Sequence, residues 1–464
     1  MSDINPEYFK QSDLEEYLGY LDGGAISMRG AKRIYNNGIG RTSYNLIDSQ
    51  GNEITRDFQH KYLTEDENRP HHVALLFYAY DSDSSSLNCW LINKSGIHAS
   101  GSSIIDEQTL ISLERQFYLH LKKQSTSLVN RGVFVEDEYE PEVSMNIDSM
   151  LSSILFPQGV DTCLLYYSTL MVSPVLNIGT LPWYCIKPFI GDEEQMIDYW
   201  NIQILESINH MSIVARKDIY DGYPTRGWEY DYLEGEFTPE SPIVVGNPRY
   251  GDCNLPNLKG AEEEAELIAS KLNCQVLGGM DAHIDSMLYT DWHGTFFKGD
   301  FLYFATHAIS SSTNPMDSSF IYLSSQDDEC NALSAKAILM INKQPETIVI
   351  MSACESGKGR TVTGGVVGLA RSFLINGTND GYGNEFYGAR NVIMSLWSID
   401  DESTYELMKL FMEELSIPQS YFPVSPLRQA ILRYRQINSD PLHWGAFQSM
   451  GLSYPGTMIM HISY

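Results

Sequence analysis

The chain reads as an α/β protein built on a mostly parallel sheet with helices on both faces. Three observations predict this. From Ile243 onward, short apolar runs alternate with stretches of helical periodicity, the order that lays parallel strands side by side beneath crossover helices. The strand-like runs are apolar along their length, as strands buried on both faces must be. Hydrophobic residues make up 43% of the 464 positions and aromatic residues 12%, ample for a sizeable core.

Taken in order, residues 1–70 are polar and carry turn clusters such as Asn36-Asn37-Gly38-Ile39-Gly40, so they read as a small N-terminal extension. Val73–Tyr80 is a buried-strand run. A Ser/Asp turn at 81–86 leads into a second strand, Cys89–Ile92, and the pair reads as a hairpin or meander. Leu110, Leu113, Phe117 and Leu121 recur at helical spacing through 106–123, and 146–156 repeats the pattern. Thr162–Tyr167 has the composition of another strand. Beyond 215 the chain turns Gly-, Tyr- and Glu-rich, which predicts a boundary near 235 between a first part, 71–235, and a second, 236–464.

The second part predicts strands at 243–245, 299–306, 347–353 and 391–397. Helices are expected at 260–272, 364–375, 402–415 and 426–437. No solenoid period is present.

Charge and cysteine usage narrow the function classes. A formal net charge of −29 opposes binding to nucleic acid or an anionic membrane surface. No apolar run approaches a bilayer span, and Met1–Glu7 lacks the basic head and apolar core of a signal peptide, so a cytoplasmic location is expected. Seven scattered cysteines without a CxxC pair predict reduced thiols and no zinc site. Gly364-Gly365-Val366-Val367-Gly368 lacks the Lys-Ser/Thr of a phosphate loop, so neither nucleotide nor any other cofactor is expected.

Two strand runs end in reactive side chains. Phe301–Thr306 leads into His307, and Thr347–Ala353 leads into Cys354, 47 positions later. In an open α/β sheet, chemistry collects at the carboxyl ends of parallel strands. A thiol and an imidazole delivered there can meet, the imidazole taking the thiol proton so that the thiolate attacks a peptide carbonyl. Alone, Cys354 would read as a buried core thiol. The Glu355-Ser356-Gly357 that follows ends the apolar run and exposes the position. Glu355 has two readings, orienting the His or touching substrate, or simply forming an acidic turn. His443 beside Trp444 reads as a packed histidine.

An ordered set of motifs then resembles a known family. It comprises Ile243-Val244-Val245-Gly246-Asn247-Pro248, Leu255-Pro256, Glu262-Glu263-Glu264-Ala265-Glu266, Phe304-Ala305-Thr306-His307, Ser352-Ala353-Cys354-Glu355-Ser356-Gly357, Leu396-Trp397 and His443-Trp444-Gly445-Ala446-Phe447. Upstream, Tyr166-Tyr167, Val172-Ser173-Pro174 and Leu181-Pro182-Trp183 match the family's N-terminal region. Over about 72–464 the chain resembles the CHAT domain family, caspase-like cysteine peptidases of the clan that includes caspases and separases.

The resemblance implies a caspase-like catalytic domain preceded by a pseudo-caspase-like α/β half that buries one edge of the catalytic sheet. It implies a Cys354/His307 dyad, with the backbone N–H groups of Cys354 and Ala308 holding the oxyanion. From separase-like relatives it implies an acidic substrate pocket, for which Asp400 and Asp401 are the candidates, with capping of the helix at 402–415 as the competing reading. By analogy the substrate is a dedicated protein, a gasdermin or another bacterial defence effector, and a partner protein licenses the cut. Two departures stand out: Ala308 where the family places Gly, and a Gly-rich insertion at about Asn376–Gly388. The alternative function is a catalytically idle scaffold that binds a partner.

Overall fold

The computed structural model describes residues 63, 72–94, 96–125, 146–205, 235–236, 241–291, 294–324, 330–343, 347–353, 359–362, 365–375, 388–415 and 419–459. The N-terminal extension apart from Leu63, the stretch beyond 215 up to the expected boundary, Cys354, Glu355 and insertion residues 376–387 lie outside this set.

The first part opens with β1 (Val73–Asp81), β2 (Ser86–Asn93) and β3 (Gly96–Ile104), an antiparallel meander whose first turn is the expected one. Helix α1 (Glu107–Gln124) starts where Asp106 accepts the Thr109 N–H at 2.9 Å, and it buries Leu110, Leu113, Phe117 and Leu121, as their spacing predicts. Next come α2 (Ile147–Leu155), β4 (Thr169–Ser173), the short α3 (Met196–Tyr199) and β5 (Asn201–Ile204).

The strand expected at 162–167 is instead a 3₁₀ turn, Asp161–Tyr166, and the strand begins at Thr169. Asp161 accepts the N–H groups of Gly159 and Thr162, and i→i+3 bonds close the turn. These local bonds tighten the backbone in a way the apolar composition does not reveal.

The second part supplies β6 (Pro242–Pro248), α4 (Lys259–Lys271), β7 (Val276–Gly279) and β8 (Phe301–Ala305). It continues through β9 (Ala308–Ile309), β10 (Phe320–Leu323), β11 (Asn331–Ser334), α5 (Ala335–Met340) and β12 (Ile348–Met351). Then follow β13 (Gly359–Val362), β14 (Gly365–Gly368), α6 (Leu369–Leu374), β15 (Asn391–Ser395), α7 (Asp401–Leu415), α8 (Val424–Arg435) and β16 (Phe447–Gly451). The helix expected at 364–375 is thus halved, because its glycine-rich front pairs as a hairpin before α6 begins.

Eleven of these strands form one sheet in the order β3-β2-β1-β4-β5-β16-β15-β12-β8-β6-β7. Pairing is antiparallel at β3–β2, β2–β1 and β16–β15 and parallel elsewhere, the mostly parallel sheet that the sequence predicts. The chain runs outward from β6 to β7, then back through β8, β12 and β15. Right-handed crossovers therefore place α4 on one face and α5 and α6 on the other. The core runs beneath both parts.

The two parts meet where β5 pairs with β16, Ser449 opposite Gln203 and Met450 opposite Ile204. Arg428 of α8 fastens this seam by donating to the Ile197 and Asp198 carbonyls at 2.8 and 2.9 Å. Arg435 reaches the Asp198 carboxylate at 2.6 Å.

Candidate active site

The strand order reverses beside β6, so the crevice between the carboxyl ends of β6 and β8 is a topological switch point, where open α/β sheets collect ligands. Two segments enter it: the 249–258 loop after β6 and His307 just past β8.

The loop is shaped at its root. Gly246 packs so closely on α4 that a Cβ there would lie 2.3 Å from the Ala265 Cβ. Asn247, at φ +44°, turns the chain and accepts the Leu258 N–H at 2.9 Å, while its amide donates to Glu262 at 3.2 Å. The loop is thereby fastened at both ends. Its middle reaches the imidazole: His307 Nε2 lies 2.9 Å from the Pro256 carbonyl oxygen. A carbonyl has no proton to give, so Nε2 carries the hydrogen and Nδ1 is the basic nitrogen of the neutral ring. The Tyr250 ring packs 4.9 Å from the imidazole, centroid to centroid.

The backbone of His307 is held from the other side. Its carbonyl accepts the Tyr322 N–H at 3.0 Å, and Thr306 Oγ1 donates to the Tyr322 carbonyl at 2.8 Å. Tyr250 Oη lies 3.3 Å from that same Thr306 hydroxyl. His307 is 6% exposed, so carbonyl, ring and hairpin together leave the imidazole little freedom. Ala308 opens β9 opposite Ile321 and is not among the residues with left-handed φ, so alanine costs no backbone strain there.

The strand that precedes Cys354 in the sequence lies next to the one that precedes His307. β8 and β12 are adjacent and parallel, with Phe304 opposite Met351. His307 and Cys354 each stand three positions beyond that pair in the sequence. Neighbouring strands lie about 4.8 Å apart, so the carboxyl ends of β8 and β12 stand side by side at one end of the sheet. Cys354 and Glu355 themselves lie outside the described residues.

The two other acidic candidates stand at helix starts. Asp400 caps α7: its Oδ1 accepts the Ser403 N–H at 2.9 Å, and its Oδ2 lies 2.8 Å from His443 Nδ1. Burial pushes the Asp400 carboxyl up, but hydrogen bonds from His443 and Ser403 outweigh it and hold the group well below its ordinary range. The same bond raises His443 above its ordinary 6.5, against the lowering effect of burial. Asp401 accepts the Gly260 N–H at 3.2 Å, so it caps α4, and a Cβ on Gly260 would lie 2.4 Å from the Asp401 side chain. His443 is packed, as expected, but within an ion pair that its sequence neighbours do not announce.

The cysteine reading needs a correction. Cys253 and Cys330 form a disulfide across 77 positions of sequence, where reduced thiols were expected. Even spacing and CxxC patterns carry no information about two cysteines that only the tertiary fold brings together. Pro256 and Tyr250 were likewise invisible as site residues, the first because it acts through its carbonyl. Among the described residues no group of three or more His, Cys, Asp or Glu side chains is placed to hold a metal. None of their helices is long and apolar enough to cross a membrane.

Comparison with known proteins bears on this geometry. No curated protein matches the chain by sequence. Among solved structures, the complex of Porphyromonas gingivalis RgpB pro- and mature domains aligns over 68% of this chain and 70% of that one, with 9% identity and a TM-score of 0.38. Separase, in the Saccharomyces cerevisiae separase–securin complex, aligns over 94% of this chain but only 33% of that chain, with 9% identity and a TM-score of 0.43. Similarity at this level is distant. The family model for the CHAT domain, by contrast, matches residues 149–452, a span that takes in β4 and β5, the switch-point loop, both strands of the candidate site and the closing β16. With well over half its length under that match, the chain belongs to the CHAT domain family.

Proposed function

We propose that the chain is a cysteine endopeptidase that cleaves a dedicated protein substrate through a Cys354/His307 dyad. The observation that carries this reading is the hydrogen bond from His307 Nε2 to the Pro256 carbonyl, which leaves Nδ1 as the base. His307 takes the thiol proton, and the Cys354 thiolate attacks the scissile carbonyl. The N–H groups of Cys354 and Ala308 receive the developing oxyanion. His307 then returns the proton to the leaving amine, and water hydrolyses the thioester.

The substrate we infer is a cytoplasmic protein held ready for regulated cutting, a gasdermin-like or other bacterial defence effector, with an activating protein licensing the cut. A net charge of −29 argues against nucleic acid or an anionic membrane as a direct partner. Glu355, beside the nucleophile, is proposed to contact substrate. For Asp400 and Asp401 a pocket role would compete with the capping bonds each already makes.

Mapping new protein N-termini in cells that make wild type or Cys354→Ala tests the proposal. Cuts seen only with wild type are expected, together with labelling of Cys354 by a peptide-like thiol electrophile that His307→Gln slows by about 10²-fold or more. Buried Cys89, pushed up to about 12, and Cys185, also raised by burial, compete poorly for such a probe. Labelling indifferent to His307, with no cut specific to wild type, would overturn the enzyme reading in favour of a partner-binding scaffold.

A further inference from the structure

The disulfide stands in a telling place. Cys253 lies three positions before Pro256, in the loop that presents its carbonyl to His307 Nε2. Cys330 directly precedes β11, which pairs with β10, and β10 in turn holds the His307 backbone through Tyr322. The cross-link therefore joins the two structures that grip His307, the loop that orients its ring and the hairpin that fixes its main chain. Cys330 is exposed and Cys253 partly so, which leaves the bond open to attack by an external thiol.

We propose that the Cys253–Cys330 disulfide is a positioning element for His307, and that its reduction by a dithiol loosens the Pro256 carbonyl and disarms the base. This rests on the peptidase reading above for its consequence, though not for its geometry. In the exchange, one thiolate of the dithiol attacks a sulfur of the bridge and forms a mixed disulfide. Its second thiolate then attacks the dithiol's own sulfur in that mixed disulfide and expels the protein thiolate, so that two protein thiols are released as the dithiol becomes a cyclic disulfide. Electrons and protons balance without any other reactant.

The test uses the full chain as wild type and as the double variant Cys253→Ser/Cys330→Ser, with dithiothreitol as the dithiol. Peptide mapping without reductant is expected to recover the Cys253–Cys330 linked pair, and its absence overturns the proposal. Long-range proton–nitrogen NMR on histidine-labelled protein, with His307 assigned by His307→Gln, reads the tautomer directly. The bridged protein is expected to show the Nε2–H form alone and the double variant a mixture. The alkylation rate of Cys354 against pH gives the functional readout. Misplacing a catalytic group by about 1 Å can cost about 10²-fold, so a drop of at least about tenfold near neutral pH is expected, with the midpoint moving toward that of an unassisted thiol.

Dithiothreitol should reproduce both changes in wild type and add nothing in the double variant, which covers the case in which the variant folds poorly. An unchanged tautomer and pH profile in both reduced wild type and double variant would refute the positioning role. If alkylation of Cys354 ignores His307 even in the bridged protein, the peptidase reading fails. The NMR tautomer still decides the positioning claim.

Discussion

Replacing Asp400 separates two roles that one carboxylate combines. Oδ1 caps α7 through Ser403, and Oδ2 pairs with His443, whose side chain is 9% exposed against 31% for Asp400. Asp400→Ala removes both. The lost cap costs about 1 kcal/mol, and stranding the buried imidazole adds about 1–2 kcal/mol, a figure at the low end because the carboxylate is partly solvated. Asp400→Asn keeps an equally good cap and loses only the charge, for about 1 kcal/mol.

The two substitutions should diverge with pH. His443 has its folded pKa raised above 6.5, so its contribution is fully present below about pH 6.5 and is lost as pH rises through the raised value. Asp400 has its folded pKa lowered from 3.8, so its contribution is present above that value and fades only as pH falls through the lowered one. The charge pair is therefore strongest between about pH 4 and pH 6.5. Urea midpoints at pH 5.5 and pH 9 provide the assay. The Asn cost should fall toward zero at pH 9, while the Ala cost keeps its capping share. An Asn penalty that is the same at both pH values would refute the pairing, and a change in substrate preference without loss of stability would move Asp400 into the substrate pocket.

Three further substitutions probe what holds the site in place. Gly246→Ala drives a methyl group against Ala265 at the root of the switch-point loop and should cost about 1–3 kcal/mol of overpacking, read as a lower urea midpoint. Lys343 is buried and donates to the Ile338, Ser372 and Ile375 carbonyls at the ends of α5 and α6. Burial pushes its pKa well down, yet Lys343→Met would leave those carbonyls unanswered, so a loss of about 2 kcal/mol or more is expected and an unchanged midpoint would contradict it. Arg428→Ala cuts two bonds across the β5–β16 seam and should cost about 2 kcal/mol, with faster amide exchange in β5 as the local signature.

Much of this architecture was written in one-dimensional pattern. Long apolar runs such as Val73–Tyr80 and Thr347–Ala353 can be buried only as strands of a covered sheet, and the periodicity of α1, α4, α7 and α8 names the buried faces directly. Patterns failed where bonds specific to a short segment decided the backbone. Asp161 turned an apolar run into a 3₁₀ turn, and glycine-rich 365–368 paired as a hairpin strand instead of starting a helix. The candidate site divides in the same way. His307 and Cys354 stand out as candidates in the sequence because residue type and position at the end of an apolar run are both sequence properties.

The sequence by itself determined the fold class and most of the strands and helices, and it singled out His307 and Cys354 as candidates, because burial periodicity and side-chain identity are local. The tertiary structure alone decided which nitrogen of His307 carries the hydrogen, that Asp400 answers to His443, and that Cys253 finds Cys330. Each of these joins groups more than 40 positions apart, and the first runs through a backbone carbonyl common to every residue. Such contacts exist only once the sheet has set the distances between chain segments.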